Sequence, residues 1–381
     1  MKTIFCFFPH CYIKATNNEL LVYDTLKYNH LYYTDYELAQ SDRYTLSKGY
    51  LFDRDDTRQL ISSFLSCEMG YLIEYGKTLP YMNDRKIKFT TSLEKEYRSL
   101  NHNLASYTNS LLRSVTILCN NSFQSDYSDL AYSQVDYPIV NAHKIDCDFL
   151  LQQLQSFPHL ERIIISGEIK ERAYASFLSF TKKNKISLTH RIFLEKSSRD
   201  KILTDLKEND NLFIEIIVDR STDLSNPLIH DRLYVKALVN DVTDISLFTN
   251  LKNVSYAPVF SKRESNEDLV KQMIMTKEEV LSTKVSKRHC LLSDYINFGA
   301  YGGLTINYDY NVSCLGQHVG SIQDTDLSNL INNWVRNQDC MWYYTRCKKA
   351  TCRNCALAAL CPSINTYETQ EIYHCPCKII E

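Results

Sequence analysis

The sequence of 381 residues is poor in glycine, with 9 in all, and it has no excess of charge of either sign. So few glycines leave little room for loops that cradle phosphate groups. The cluster of Gly299, Gly302 and Gly303 fits neither the dinucleotide-binding fingerprint nor a P-loop. A formal net charge of -2 argues against nucleic acid as the main partner, because proteins that bind nucleic acid usually present a basic surface.

Long apolar runs are also missing from the sequence. No segment approaches the roughly 20 apolar residues that a membrane-spanning helix requires, and we therefore expect no membrane partner. The opening stretch is too short for a signal peptide, is interrupted by Pro9 and His10, and has no small-residue cleavage site, so it predicts a β-strand. We expect a cytoplasmic protein, in which thiols stay reduced and can bind metals.

The pattern of the chain divides it into three predicted domains. Residues 1–105 predict an N-terminal α+β domain, which is either an ordinary cap or a peptide-recognition module that adds a peptide as a strand at a sheet edge. One helix is predicted there from Thr57 to Ile73, where apolar residues recur at helical spacing. Residues 106–289 form the second domain and residues 290–381 the cysteine-rich third.

Six strands alternate with helices in the middle domain. They are predicted at Ser114–Cys119, Arg162–Gly167, Ser187–Leu194, Leu212–Val218, Leu233–Val239 and Val254–Val259. This alternation predicts an α/β fold with a parallel sheet, built either as a partial (β/α)6 barrel or as an open doubly wound sheet.

Cysteines are concentrated at the end of the chain, where six of the fourteen lie between Cys347 and Cys377. Cys352, Cys355 and Cys361 have the spacing C-x2-C-x5-C, and Cys375 and Cys377 follow. Thiolates at this spacing can surround one metal centre, and disulfides are the alternative. Because nothing earlier in the chain suggests export, we favour metal. Four thiolates suit iron–sulfur and zinc alike.

The order of a βα middle and a cysteine-rich tail resembles radical SAM enzymes with a SPASM extension. Leu304–Cys314 looks like the SPASM hairpin that ends in a cluster cysteine, and the C-x2-C-x5-C element fits the motif that follows it. The resemblance implies one [4Fe–4S] cluster in the tail, with Cys375 or Cys377 as the fourth ligand. It makes Cys314 and Cys347 possible remnant ligands of a second cluster, for which Asn365 stands at a required cysteine position.

The sequence departs from radical SAM enzymes at the first barrel strand. These enzymes have C-x3-C-x2-C there, but this chain has Cys119, Phe123 and Asp126. One thiolate does not hold a cluster, so the resemblance implies no functional S-adenosylmethionine cluster. Gly167 and Glu168 match the positions that contact the methionine amino group, so all five residues are predicted to be a vestigial S-adenosylmethionine site.

This combination is similar to the pseudo-radical SAM proteins of Bacteroidales peptide-maturation systems. The resemblance implies a scaffold that is not an enzyme and that binds a precursor peptide, an active radical SAM maturase, or both. Two other interpretations remain open. The chain could transfer electrons from an iron–sulfur cluster to a maturase, or it could be a zinc-stabilised binding module.

Overall fold

The computed structural model shows a mixed α/β protein with one large, mostly parallel sheet and two small antiparallel sheets. The residues that it describes are 3–34, 39–74, 109–119, 130–133, 145–194, 199–222, 228–261, 267–337 and 339–369. Four predicted site residues lie outside these ranges, namely Phe123, Asp126, Cys375 and Cys377.

Residues 3–74 form two three-stranded antiparallel sheets and two helices. The elements are β1 (Thr3–Phe7), β2 (Cys11–Ala15), β3 (Glu19–Asp24), β4 (His30–Thr34), α1 (Gln40–Ser47), β5 (Tyr50–Phe52), α2 (Arg58–Ser66) and β6 (Gly70–Glu74). One sheet has the strand order β5-β1-β6 and the other β2-β3-β4. The first sheet packs on α2 through Phe5, Phe7 and Phe64, with ring centroids of Phe7 and Phe64 4.8 Å apart.

The predicted helix from Thr57 to Ile73 is wrong in its second half, because the helix ends at Ser66 and Gly70 begins strand β6. β6 pairs with β1 along its whole length. A Cβ atom at Gly70 would lie 2.1 Å from the carbonyl oxygen of Cys6, so this close pairing requires glycine. Helical periodicity continued through the turn and hid the change of structure.

The middle of the chain confirms the six predicted strands. The elements are β7 (Ser114–Leu118), β8 (Leu130–Ser133), α3 (Cys147–Leu154), β9 (Arg162–Ser166), α4 (Glu171–Asn184), β10 (Ser187–Phe193), α5 (Arg199–Glu208), β11 (Leu212–Val218), β12 (Leu233–Val239), α6 (Val242–Leu247) and β13 (Val254–Ser261). Strands β7, β9, β10, β11, β12 and β13 are neighbours in that order, and every pair is parallel.

The last part of the chain extends the same sheet. Its elements are α7 (Glu267–Met273), α8 (Lys277–Ser282), α9 (Lys287–Ser293), β14 (Gly303–Ile306), β15 (Asn311–Cys314), β16 (Gln317–Ser321), α10 (Leu327–Val335), two short 3-10 helices (Met341–Tyr343 and Ala356–Ala359) and α11 (Thr366–Thr369). The predicted hairpin is present as β14 and β15. β14 pairs in parallel with β7, so the ten-stranded sheet continues into the hairpin, and β8 pairs at its other end.

The core of the large sheet lies between its strands and the helices α3, α4 and α5. Leu188 and Ile214 from the strands meet Phe177 and Leu206 from the helices, and all four side chains are buried. Strands of a buried parallel sheet are usually dense runs of β-branched and apolar residues, and the strands of this sheet have that composition.

Candidate functional site

The residues predicted to be a vestigial S-adenosylmethionine site lie, as far as the structure describes them, at the carboxyl ends of β7 and β9. Their assignment to such a site stays a prediction. The backbone N–H of Cys119 donates to the carbonyl of Ser166 at 3.0 Å, which brings Cys119 beside Gly167. Cys119 is buried, and burial raises the pKa of its thiol far above the usual range. Gly167 has a φ of 100°, in the region that favours glycine. Glu168 is exposed.

His190 on β10 contacts this strand end. Its Nε2 lies 3.1 Å from the carbonyl oxygen of Gly167, and its ring packs against that of Tyr174 at an interplanar angle of 40°, with centroids 4.9 Å apart. Burial lowers the pKa of His190 to about 4, because a charged imidazolium would be poorly solvated there. The imidazole is therefore neutral at pH 7, and in the tautomer protonated at Nε2 it donates to the carbonyl oxygen of Gly167.

A cluster of charges lies on the sheet face opposite the helices. Arg191 is ion-paired with Glu215, and Lys236 Nζ lies 3.3 Å from the same carboxylate. These side chains alternate with Leu188 and Ile214, which point towards the helices. Burial raises the pKa of Glu215, but Arg191 and Lys236 outweigh that effect and hold it below its usual value. The cluster thus joins three neighbouring strands, β10, β11 and β12, through charges of opposite sign.

Arg346 is the central buried charge of the cysteine-rich tail. Its guanidinium holds both carboxylate oxygens of Glu368, at 3.1 and 2.7 Å, and Lys349 Nζ approaches the same carboxylate at 2.8 Å. It also lies 3.8 Å from the sulfur of Cys352. Burial alone would lower the pKa of Arg346, but Glu368 and the sulfurs of Cys361 and Cys352 outweigh that effect and raise the pKa above its usual value. A permanent cation therefore stands beside two of the predicted metal ligands.

The third predicted ligand, Cys355, is buried together with Cys361. Both belong to a small core that includes Tyr12 and Tyr23 of the N-terminal sheet β2-β3-β4. Glu19 of the same sheet accepts a hydrogen bond from the N–H of Ala356 at 2.6 Å. The N-terminal sheet thus packs directly on the segment that carries the C-x2-C-x5-C element.

Cys352, Cys355 and Cys361 fit a thiolate-bound metal group by their chemistry. All three are buried sulfur donors, and the guanidinium of Arg346 offsets the negative charge that several thiolates bring into a buried site. The assignment of these residues, with Cys375 or Cys377 as the fourth ligand, stays a prediction.

The possible remnant ligands Cys314 and Cys347 lie in different surroundings. Cys314 is buried in the main sheet core, where its thiol donates to the carbonyl of Gly303 at 3.6 Å. Cys347 donates to Asp294 at 2.8 Å and lies 3.7 Å from Lys14 of β2. Burial and the carboxylate of Asp294 raise the pKa of Cys347 to about 11. Their roles as remnant ligands stay predictions.

Sequence reasoning missed the polar partners that surround the cysteines. Arg346 and Glu368 are separated by 22 positions and carry no motif, so only the fold brings them together. Sequence reasoning also missed a group of three ligand atoms in the described part of the chain that lie close enough together to hold one metal ion. It consists of His10, Cys11 and Asp24.

Comparison with known proteins finds similarity to solved structures but to no related sequence. No family model matches the chain, and no curated protein matches it. Among solved structures, Streptococcus suis SuiB bound to S-adenosylmethionine is similar with 12% identity and a TM-score of 0.46, covering 98% of this chain and 100% of that one. SuiB bound to precursor peptide SuiA is similar with 11% identity and a TM-score of 0.44, covering 98% of each chain.

The comparison contradicts one sequence-based prediction. The chain was predicted not to be an enzyme, but the similar SuiB chain was crystallised with S-adenosylmethionine. We therefore do not retain the prediction of a non-catalytic chain.

In the described ranges, no helix combines the length and the apolar character that crossing a bilayer demands.

Proposed function

We propose that this chain acts in the maturation of a ribosomally made peptide and binds that peptide at the edge of its first sheet. The observation that carries the proposal is strand β6, which lies at the edge of the sheet β5-β1-β6. Among the residues that the structure describes, only β1 pairs with β6, so its outer edge from Gly70 to Ile73 can accept a further strand.

The side chains of β6 support this use of the edge. Tyr71 and Leu72 are 37% and 43% exposed, although both are large and apolar. Natural proteins usually protect an edge strand with charge, proline or a covering element, so an apolar edge indicates a place where another chain pairs. Backbone hydrogen bonds would supply the affinity and these side chains the selectivity.

We also propose that the tail holds one [4Fe–4S] cluster through Cys352, Cys355 and Cys361, with Cys375 or Cys377 completing the set. When bound, the cluster would supply a fixed structural centre or an electron carrier. The residues of this chain bury the sulfurs, neutralise part of their charge through Arg346, and pack the N-terminal sheet against the cluster segment. A cytoplasmic location would keep these thiols reduced, and an active maturase is the second partner that we propose.

Peptide binding is tested with short peptides encoded by genes that flank this one, each as a candidate precursor. Isothermal titration calorimetry on the full-length protein should show micromolar affinity, about -8 kcal/mol, as expected for pairing through one strand. Leu72→Glu should weaken binding at least about tenfold, or about 1.4 kcal/mol, because it places charge on the pairing edge. Leu247→Glu is the matched control, since Leu247 is 53% exposed on α6, away from the sheet edge.

The outcomes separate the proposal from its alternatives. If the precursor binds wild type and Leu72→Glu equally, the peptide does not use β6. If neighbouring precursors do not bind, and deletion of the gene leaves the peptide fully modified, the proposed function is wrong. Iron and acid-labile sulfide in anaerobically purified protein test the cluster, and zinc alone would contradict it.

A further inference from the structure

We infer that His10, Cys11 and Asp24 form a Zn²⁺ site that closes the first hairpin of the chain. These three residues offer one nitrogen, one sulfur and one oxygen ligand, and the three ligand atoms all lie within 4.8 Å of one another. Imidazole, thiolate and carboxylate are the three ligand types that proteins use for zinc. The site is separate from the tail cysteines and does not depend on the proposed function.

Strand pairing brings the ligands together. Cys11 at the start of β2 lies directly opposite Asp24 at the end of β3 in the antiparallel register, so the two side chains occupy the same face. His10 immediately precedes β2, and its Nε2 lies 3.3 Å from Oδ2 of Asp24. The hairpin therefore fixes two ligands through its backbone and needs only the rotamer of His10 to bring the third.

The two carboxylate oxygens of Asp24 have different surroundings. The side chain is fully buried. Its Oδ1 accepts the backbone N–H groups of Leu26 and Lys27 at 2.8 and 3.0 Å. Its Oδ2 lies 3.3 Å from Nε2 of His10, but it accepts no well-formed hydrogen bond from the described residues. An oxygen in this position normally has a donor or a cation, because a buried charge without one is costly. A metal ion between Oδ2 and His10 satisfies it.

Burial and the charge of Asp24 raise the pKa of Cys11 to about 12, so the thiol is protonated until Zn²⁺ displaces its proton to the solvent. This displacement leaves no other group unsatisfied. Its thiol donates to the carbonyl oxygen of Met69 at 3.4 Å. That oxygen also accepts the backbone N–H of Phe8 at 2.9 Å, so it keeps a donor when the thiol is deprotonated. The thiolate and the carboxylate together balance the two charges of Zn²⁺, which leaves a buried site without net charge.

Three protein ligands leave one position of a tetrahedral zinc ion for water. The side chain of His10 is 26% exposed, so this position faces the side from which solvent can enter. Lys287 of α9 donates to the carbonyl of Pro9 at 2.6 Å, so the residue next to His10 is hydrogen-bonded to the C-terminal part of the chain. Zinc would thus hold the hairpin in the shape that α9 contacts.

The test is a Co²⁺ and Zn²⁺ titration of the full-length, metal-free protein under anaerobic conditions. In wild type, Co²⁺ should give a thiolate-to-cobalt charge-transfer band, and Zn²⁺ should displace it. Cys11→Ser should bind one equivalent less and lose the corresponding part of the band. Cys67→Ser is the matched control, because Cys67 is a partly buried cysteine of the same region that is not one of the three ligands.

Two further variants keep the test independent of folding and of the tail. His10→Gln changes a partly exposed side chain and should lower zinc affinity at least about tenfold, with an unchanged circular dichroism spectrum. Cys361→Ser should leave the cobalt band that Cys11 contributes in place. If Cys11→Ser binds as much cobalt as Cys67→Ser, or if His10→Gln keeps wild-type zinc affinity, the inference is overturned.

Discussion

The cysteines of the large sheet and those of the tail are alike in burial but differ in their neighbours. Cys119 and Cys314 lie in the main core, where desolvation and a neighbouring cysteine raise the pKa of both thiols and keep them protonated. Cys352 and Cys361 lie beside the guanidinium of Arg346. The tail thus places a buried cation beside its cysteines, whereas the cysteines of the sheet core are surrounded by apolar side chains.

The difference also concerns how each region is held together. The large sheet is stabilised by apolar side chains that pack between strands and helices. In the tail, a buried ion pair between Arg346 and Glu368 lies beside the cysteines. The sheet β2-β3-β4 packs on the segment that carries Cys355 and Cys361. Substitution of one buried charged residue should therefore lower the stability of the tail far more than substitution of an exposed charged residue in the same segment.

Arg346→Ala should have the largest effect on stability. It leaves Glu368 buried with Lys349 as its remaining cation, and breaking a buried pair from one side costs about 3–5 kcal/mol. Urea unfolding followed by circular dichroism measures the loss. The exposed Arg353→Ala in the same segment should change stability by less than about 0.5 kcal/mol. Equal effects of the two substitutions would show that the tail has no ordered charged core.

The sheet should be the more sensitive region at low pH. Burial lowers the pKa of His190 to about 4, so between that value and the unfolded value of about 6.5 the unfolded chain binds more protons than the folded one. The contribution of neutral His190 to the free energy of unfolding is therefore fully present above pH 6.5. It is lost as pH falls towards 4, and the loss is at most about 3 kcal/mol. Urea unfolding at several pH values measures this slope.

A substitution isolates the contribution of His190. His190→Gln keeps a side-chain amide that can donate to the carbonyl of Gly167, but it does not titrate in this range. Its stability should change less than that of wild type between pH 6.5 and 4. If the two slopes are the same, another group causes the loss at low pH.

Replacing one cysteine in each region separates the two environments directly. Cys352→Ser should weaken metal binding in the tail at least about tenfold, or about 1.4 kcal/mol, because serine is a poor ligand for iron or zinc. Cys119→Ser should leave metal content unchanged, since that thiol is kept protonated in the sheet core. Elemental analysis of anaerobically purified variants checks both. Loss of metal in Cys119→Ser would show that the sheet also holds a metal.

The sequence predicts the large sheet far better than the candidate sites. Each parallel strand is a short apolar run between helices, so strand identity and order follow from local pattern. The contacts of Arg346 with Glu368 and of Cys11 with Asp24 join residues that are distant in sequence and carry no motif. The sequence did not predict β6, because its apolar residues continue the helical spacing of the apolar residues in α2. The structure shows the pairing with β1, in which the close approach of Gly70 to the backbone of Cys6 leaves no room for a side chain.

The last predicted effect concerns the contact between the N-terminal sheet and the C-terminal part of the chain. The hydroxyl of Tyr23 donates to the carbonyl of Thr283 at 2.8 Å and accepts the N–H of Val285 at 3.2 Å. Tyr23→Phe removes both bonds and leaves two backbone groups without this partner, at a cost of about 1–2 kcal/mol. The exposed Tyr44→Phe is the matched control and should be neutral.

The same variant shows whether the two parts unfold as one unit. If they do, Tyr23→Phe should shift the whole urea transition to lower concentration without changing its slope, because the slope follows the surface exposed in one cooperative step. Hydrogen exchange should then show equal loss of protection in β3 and around Ala356–Ala359. A split transition, or loss of protection in β3 alone, would mean that the N-terminal sheet is stable without the cysteine-rich segment on which it packs.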